Sequence, residues 1–298
     1  MEREVKMEKI NGKFNFSDEE LNKIKYMYTT QHISCKNIAS WFSCAESVID
    51  RALKCMKIEK RHTSAKYSFN EHIFDVIDSP EKAYWIAFIW CDGYNGKRVR
   101  KDKTTYEVKL SLSEQDSEHL VKLKLFLNSN HDIKYYKFNG FNKGKTEARL
   151  LLSNTYLGNV LENKYGMVAH REDSNKLISN IPLEYMKDFI RGVIDAEGSI
   201  IMSYTHDRSF ASYKSAISIS TYKTLLIYIQ DFLYNNNLIT NKSKLYKRHK
   251  DRDEFCVQVK YCGNNNVSKL LNWLYDGATI CLDRKYNKYI NIKEILDK

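Results

Sequence analysis

Two stretches decide how this chain folds: Ile190-Arg-Gly-Val-Ile-Asp-Ala-Glu-Gly198 and, earlier, Trp85-Ile-Ala-Phe-Ile-Trp-Cys-Asp-Gly93. Each is apolar nearly all round, so each predicts a helix buried on all sides. Each ends in an acid followed by glycine, Glu197 and Asp92, at a spacing of 197 − 92 = 105 residues. The two prolines of the chain, Pro80 and Pro182, stand just ahead of these helices. Small residues at Ala87 and Gly192 predict close approach of two backbones, and Gly93 and Gly198 suit the left-handed position that often ends a helix.

The surroundings repeat as well. Alternating strands Lys109-Leu-Ser-Leu-Ser113 and Ala216-Ile-Ser-Ile-Ser220 follow at an offset of 216 − 109 = 107, and helices ending Phe126-Leu127 and Phe232-Leu233 at 232 − 126 = 106. A second strand pair comes next in each copy, near 132–138 with 146–152 and near 243–249 with 254–261. Apolar helices near 155–165 and 266–275 close the copies. The expectation is an α+β fold of two αββαββα units, over 67–178 and 179–298, behind a helical segment at 1–66.

The two acids are out of place in a purely structural helix. A carboxylate at a helix C-terminus meets the negative end of the dipole. Two such ends side by side add mutual repulsion. A divalent cation removes both penalties, polarises a phosphate and lowers the pKa of water, as phosphodiester hydrolysis requires. Asp92 and Glu197, with Gly93 and Gly198 beside them, are therefore the expected metal site, and magnesium the expected ion.

Read together, the two stretches resemble the LAGLIDADG motif of homing endonucleases. The second keeps Gly192, Ile194, Asp195, Ala196 and Gly198, with Glu197 in place of the last Asp. The first keeps Ile89, Asp92 and Gly93, with Ala87 in place of Gly and Trp90 in place of the first Asp. The resemblance covers roughly residues 69–295. It implies a pseudo-twofold pair of units joined through the motif helices, sheets lying in the DNA major groove, and metal-dependent cleavage of both strands. Glu81-Lys-Ala-Tyr-Trp85, ahead of the first motif, is similar to phage and bacterial members. The family also places a lysine at the end of the last strand of a half. Lys260 fits that place, and aligning the closing helices (Val267 with Leu157) puts Leu150 opposite it, leaving the first half without an equivalent.

Charge agrees with a polyanionic partner. Lys and Arg number 48 against 37 Asp and Glu, a formal +11, and basic chains gain affinity for nucleic acid by releasing counterions. Strand residues are the candidate contacts to double-stranded DNA: Lys97, Arg98, Arg100, Lys109, Lys134, Lys137 and Arg149 in the first half, and Arg208, Lys214, Lys242, Lys244, Lys247 and Arg248 in the second. Strand alternation sends about half of such residues away from any one ligand. In the N-terminal segment, Ser17 and Glu20 form a capping box. Ile38, Ala39, Phe42, Ile49 and Leu53 are spaced as the core of a helix-turn-helix whose second helix exposes Arg51 and Lys54.

Seven scattered cysteines without a CxxC pair predict reduced thiols. No apolar run approaches a membrane span, and the charged start MEREVKMEKI lacks a secretion signal. The expected setting is the cytoplasm and the expected state a monomer acting on a long, pseudo-palindromic or asymmetric DNA site. An RNA-binding intron maturase and a non-cleaving DNA-binding regulator share this fold, but neither needs both acids.

Overall fold

The computed structural model of the protein describes residues 9–10, 13–14, 16–30, 33–59, 67–101, 103–137, 144–168, 174–206, 211–247 and 256–296. The chain divides into two compact units, Met1–Ser68 and Phe69–Lys298.

In the first unit, strands β1 (Lys9–Ile10) and β2 (Lys13–Phe14) pair antiparallel, and helices α1 (Asp18–Thr29), α2 (Cys35–Trp41) and α3 (Glu46–Cys55) follow. The capping box forms: Ser17 Oγ accepts from the Glu20 amide at 3.2 Å and Glu20 Oε2 from the Ser17 amide at 2.8 Å. Ile24, Met27, Ile38, Ala39, Phe42, Ile49 and Leu53 make a small core of their own, the helical spacing read from the sequence.

The second unit holds the repeat. Its first half runs α4 (Pro80–Asp92), β3 (Gly93–Arg100), β4 (Lys103–Ser113), α5 (Ser117–Phe126), β5 (Lys134–Lys137), β6 (Thr146–Ser153) and α6 (Thr155–Asn163). After the short α7 (Asn175–Ser179), the second half runs α8 (Met186–Glu197), β7 (Gly198–His206), β8 (Ala211–Tyr222), α9 (Lys223–Asn235), β9 (Tyr246–Lys247), β10 (Cys256–Cys262) and α10 (Asn264–Tyr275). The sheets have the same order, β3-β4-β6-β5 and β7-β8-β10-β9, antiparallel throughout. One further helix, α11 (Asp283–Leu296), ends the described chain; the sequence reading, which closed the second half near 266–275, contained no helix here.

Alternation gives each sheet two unlike faces. Val108, Leu110, Leu150 and Leu152 point at Leu123, Leu127, Leu157 and Leu161 of the covering helices. Ile217, Ile219, Val257, Val259 and Tyr261 do the same in the second half. The opposite faces carry the polar and basic residues. The halves are not equal in length: Gly93 pairs with Leu110 and Gly198 with Ile219, so the second hairpin is longer by (219 − 198) − (110 − 93) = 4 residues. The strand offset of 107 read from the sequence is thus 109 in the ladders.

The motif helices α4 and α8 pack on each other, and Gly192 permits it. A Cβ there would stand 2.4 Å from the Tyr84 carbonyl oxygen and 2.9 Å from the Ala87 Cβ. The seam also carries a buried polar chain. The Asp195 carboxylate, 1% exposed, accepts from Tyr84 OH at 2.8 Å, Tyr275 OH at 2.6 Å and the Leu282 amide at 2.7 Å. Burial pushes its pKa up, against the pull of Lys285 and these donors. Because Tyr84 spends its proton on Asp195, its oxygen accepts from His119 Nε2 at 2.9 Å, which leaves the buried His119 Nδ1 without a partner.

Burial holds the His119 pKa down at about 3, so the folded protein keeps this ring neutral while the unfolded chain protonates it below its ordinary value. The stability it contributes is full above about pH 6.5 and drains away as pH falls toward 3, by on the order of 4 kcal/mol at the limit. Thermal melts from pH 7 to pH 4 check this. His119→Phe, which fits the surrounding cage of Tyr84, Trp85 and Phe88 rings, should flatten the profile; an unchanged profile refutes the assignment.

Candidate active site

Asp92 is the last residue of α4 and is exposed; Glu197 is the last of α8 and is half-buried. The glycines after them are not left-handed, contrary to the sequence expectation. Gly93 has φ −85° and ψ 163°, Gly198 φ −90° and ψ 159°, so each turns directly into a strand. Glycine is needed for a different reason: a Cβ would lie 2.3 Å from the Ile89 carbonyl oxygen at Gly93 and 2.5 Å from that of Ile194 at Gly198. The chain leaves each helix so sharply that the last-turn carbonyl occupies the side-chain position.

Beneath these ends lies a residue that the sequence did not single out. Lys285 of α11 is 2% exposed, and its ammonium donates to the Ile194 carbonyl at 2.6 Å and the Asp195 carbonyl at 2.5 Å. Burial lowers its pKa to about 8, while Asp195, Asp92 and Glu197 all act to raise it. Both motif acids therefore lie within the electrostatic reach of one buried cation. Among the described residues no cluster of three or more His, Cys, Asp or Glu gathers. A cation here would have two carboxylates and would complete its shell from water or substrate. Those all-oxygen donors suit magnesium, which is commonly held by one or two carboxylates together with phosphates.

The ladders sort the basic candidates by face. Arg98, Arg100, Lys109, Lys134 and Arg149 share the open face of the first sheet, as do Lys214 and Lys260 in the second. Tyrosines join them: Lys109 Nζ lies 5.1 Å from the Tyr94 ring centre and the Arg149 guanidinium 4.3 Å from that of Tyr136. Some candidates do not belong to this face. Lys97 pairs across the strand with buried Tyr106 and bonds Glu162 of α6 at 2.8 Å, because its strand parity aims it at the helices. Lys137, opposite Thr146, and Lys247, opposite buried Val257, share that helix-ward parity. Lys242 is drawn to Asp231 of α9 at 2.7 Å, and Lys244 is exposed just ahead of β9. Arg208 and Arg248 lie outside the described residues. In the first unit, Arg51 and Lys54 are exposed on α3.

The register also corrects the placement of the strand lysine. In the second half Ser199, Ser218 and Lys260 form one cross-strand row, immediately after Gly198. The matching row in the first half is Tyr94, Lys109 and Leu151. Lys260 thus corresponds to Leu151, not Leu150, since Gly198, Ile219 and Val259 match Gly93, Leu110 and Leu150. The first half does carry a lysine in this row: Lys109, one strand nearer the motif. The helix-based alignment missed it because the closing helices are shifted by one residue relative to the strands.

No family profile and no curated protein matches the chain. Among solved structures it is similar to the I-LtrWI LAGLIDADG homing endonuclease bound to target DNA, at 13% identity over 74% of this chain and 91% of that one, TM-score 0.49. It is similar also to the LAGLIDADG meganuclease I-CpaMI bound to uncleaved DNA, at 11% identity over 74% and 92%, TM-score 0.48. A third, the LAGLIDADG meganuclease I-AabMI bound to uncleaved DNA, has 15% identity over 74% and 90%, TM-score 0.46. At these values no residue role is carried across.

Proposed function

We propose that this chain is a site-specific endonuclease of the LAGLIDADG homing type that cuts both strands of a DNA duplex. The observation that carries the proposal is the close packing of two acid-tipped motif helices, each at the head of a sheet with an open, cation-bearing face. Asp92 and Glu197, with the backbone of Gly93 and Gly198 beside them, would hold a divalent cation, magnesium by donor chemistry. Bound there, such an ion polarises a phosphate and lowers the pKa of water. Arg98, Arg100, Lys109, Lys134, Arg149, Lys214 and Lys260 neutralise phosphates or read guanine edges. With both halves in one chain, the protein acts as a monomer on one long site. Incubation with a randomised duplex library and magnesium, followed by sequencing of the ends, tests the proposal; a library left intact by folded protein would falsify it.

The matching rows support a reading in which Lys109 and Lys260 stabilise charge, one per half. Lys260→Met and Lys109→Met should each slow cleavage by about 10- to 100-fold, and chiefly on one strand, so that nicked duplex accumulates. Strand-specific end labelling reads this; equal slowing of both strands contradicts the assignment.

The N-terminal helices add affinity through Arg51 and Lys54 of α3. Deletion of residues 1–66 leaves the acids and both sheets in place, so cleavage should persist while the apparent Kd for the target weakens. Unchanged affinity in a mobility-shift assay would remove DNA binding from this segment.

A further inference from the structure

We propose that Lys285 is the built-in counter-cation of the two-carboxylate site, a positioning residue that sets how tightly a divalent ion binds there. The inference rests on the metal reading of Asp92 and Glu197 given above.

Three observations place the residue. First, its ammonium is tied to the Ile194 and Asp195 carbonyls, the negative end of α8, where a cation offsets the dipole. Second, the residues beside it clamp α11 to the first half. Asp283 bonds Lys122 at 2.5 Å, and Arg284 grips both Asp116 oxygens at 3.1 and 3.0 Å. Lys285 is thereby held at the seam between the halves and cannot swing to solvent. Third, the two halves differ in a matched way. The second has Asp195 in the motif and Lys285 beneath it. The first has Trp90 at the corresponding position, bonded through Nε1 to the Tyr165 carbonyl at 2.9 Å.

A buried ammonium near two carboxylates has two effects of opposite sign. Without metal it offsets their repulsion and keeps the ends of α4 and α8 together. With metal it repels the incoming ion, because its charge persists where solvent screening is weak. The chain thus trades metal affinity for a site that is already assembled before an ion arrives. A purely structural lysine, acting only as partner to Asp195, would change stability but not metal affinity.

Manganese alone, titrated into the full chain without DNA and followed by electron paramagnetic resonance of the free ion, separates these cases. Lys285→Gln keeps a donor for the two carbonyls and drops the charge. It should bind manganese on the order of ten-fold more tightly than the native protein and show a larger manganese-induced rise in Tm. Lys285→Arg, which keeps the charge, should remain near the native affinity. Should Lys285→Gln fold poorly, Lys285→Met, which fills the same space and also drops the charge, carries the same expectation. Unchanged or weaker binding in the folded charge-removed variants, with Glu197→Gln still below native, overturns the role of Lys285. Native protein and Glu197→Gln binding manganese alike overturns the metal site itself.

Discussion

On the proposed reading, Asp92→Asn and Glu197→Gln should each abolish double-strand cleavage and leave DNA binding intact or slightly tighter. Both changes preserve side-chain size and remove the charge that would hold a divalent ion. The expected loss is large because the ion does several jobs at once, in charge stabilisation and in generating the nucleophile. Binding should be spared, since the proposed contacts are cations of the open sheet faces, such as Arg98, Lys109, Arg149 and Lys214, which the substitutions do not touch. A carboxylate near a phosphate is repulsive, so its neutral isostere can even improve affinity. The measurement is a cleavage time course in magnesium beside a mobility shift in calcium, which occupies oxygen sites in a different geometry. Folded single variants that cut both strands at the native rate would rule out the mechanism. Because these residues end the helices at the seam, a melt of each variant accompanies the assay.

Gly192→Val is the second large effect, and it acts on folding. The added Cβ would sit 2.4 Å from a backbone oxygen of α4, a contact that flexible side chains cannot relieve. The two motif helices would have to separate, opening the layer in which Ala87, Tyr84, Phe189 and Val193 are fully buried. Overpacking of this kind costs roughly 1–3 kcal/mol or more, and the Tyr84–Asp195 bond across the seam would be strained in the same movement. Gly192→Ala should show a smaller loss of the same sign. Chemical denaturation checks both. Native stability in Gly192→Val would mean that the close packing of α4 on α8 is wrong. Activity should fall together with stability, since separating the helices also separates Asp92 from Glu197.

Much of this architecture was legible without coordinates. The acid–Gly endings, the two prolines and the strand alternation repeat at nearly constant offsets, and duplication is a property of order along the chain. The helical core of the first unit was legible for the same reason, since Ile38, Ala39, Phe42, Ile49 and Leu53 follow a local period. Burial of Asp195 and exposure of Asp92 were not distinguishable by type, as both are aspartates near the end of an apolar helix.

What only the tertiary structure decided is which distant residues meet. Strand parity depends on register, which turns Lys97 toward Glu162 and not the open face; a one-residue shift of the closing helices relative to the strands hid that Lys109 stands in the row that Lys260 occupies in the other half. The conformation of Gly93 and Gly198 depends on where the chain must go next, so a glycine that reads as a left-handed cap is extended. Lys285 lies 88 residues beyond Glu197 in sequence (285 − 197), and nothing local marks it among so many lysines. The duplicated fold was readable from order along the chain, because periodicity is local, and the two acids were singled out by motif chemistry alone. The counter-charge beneath those acids was decided by packing, because an ion's partners are chosen by distance in space.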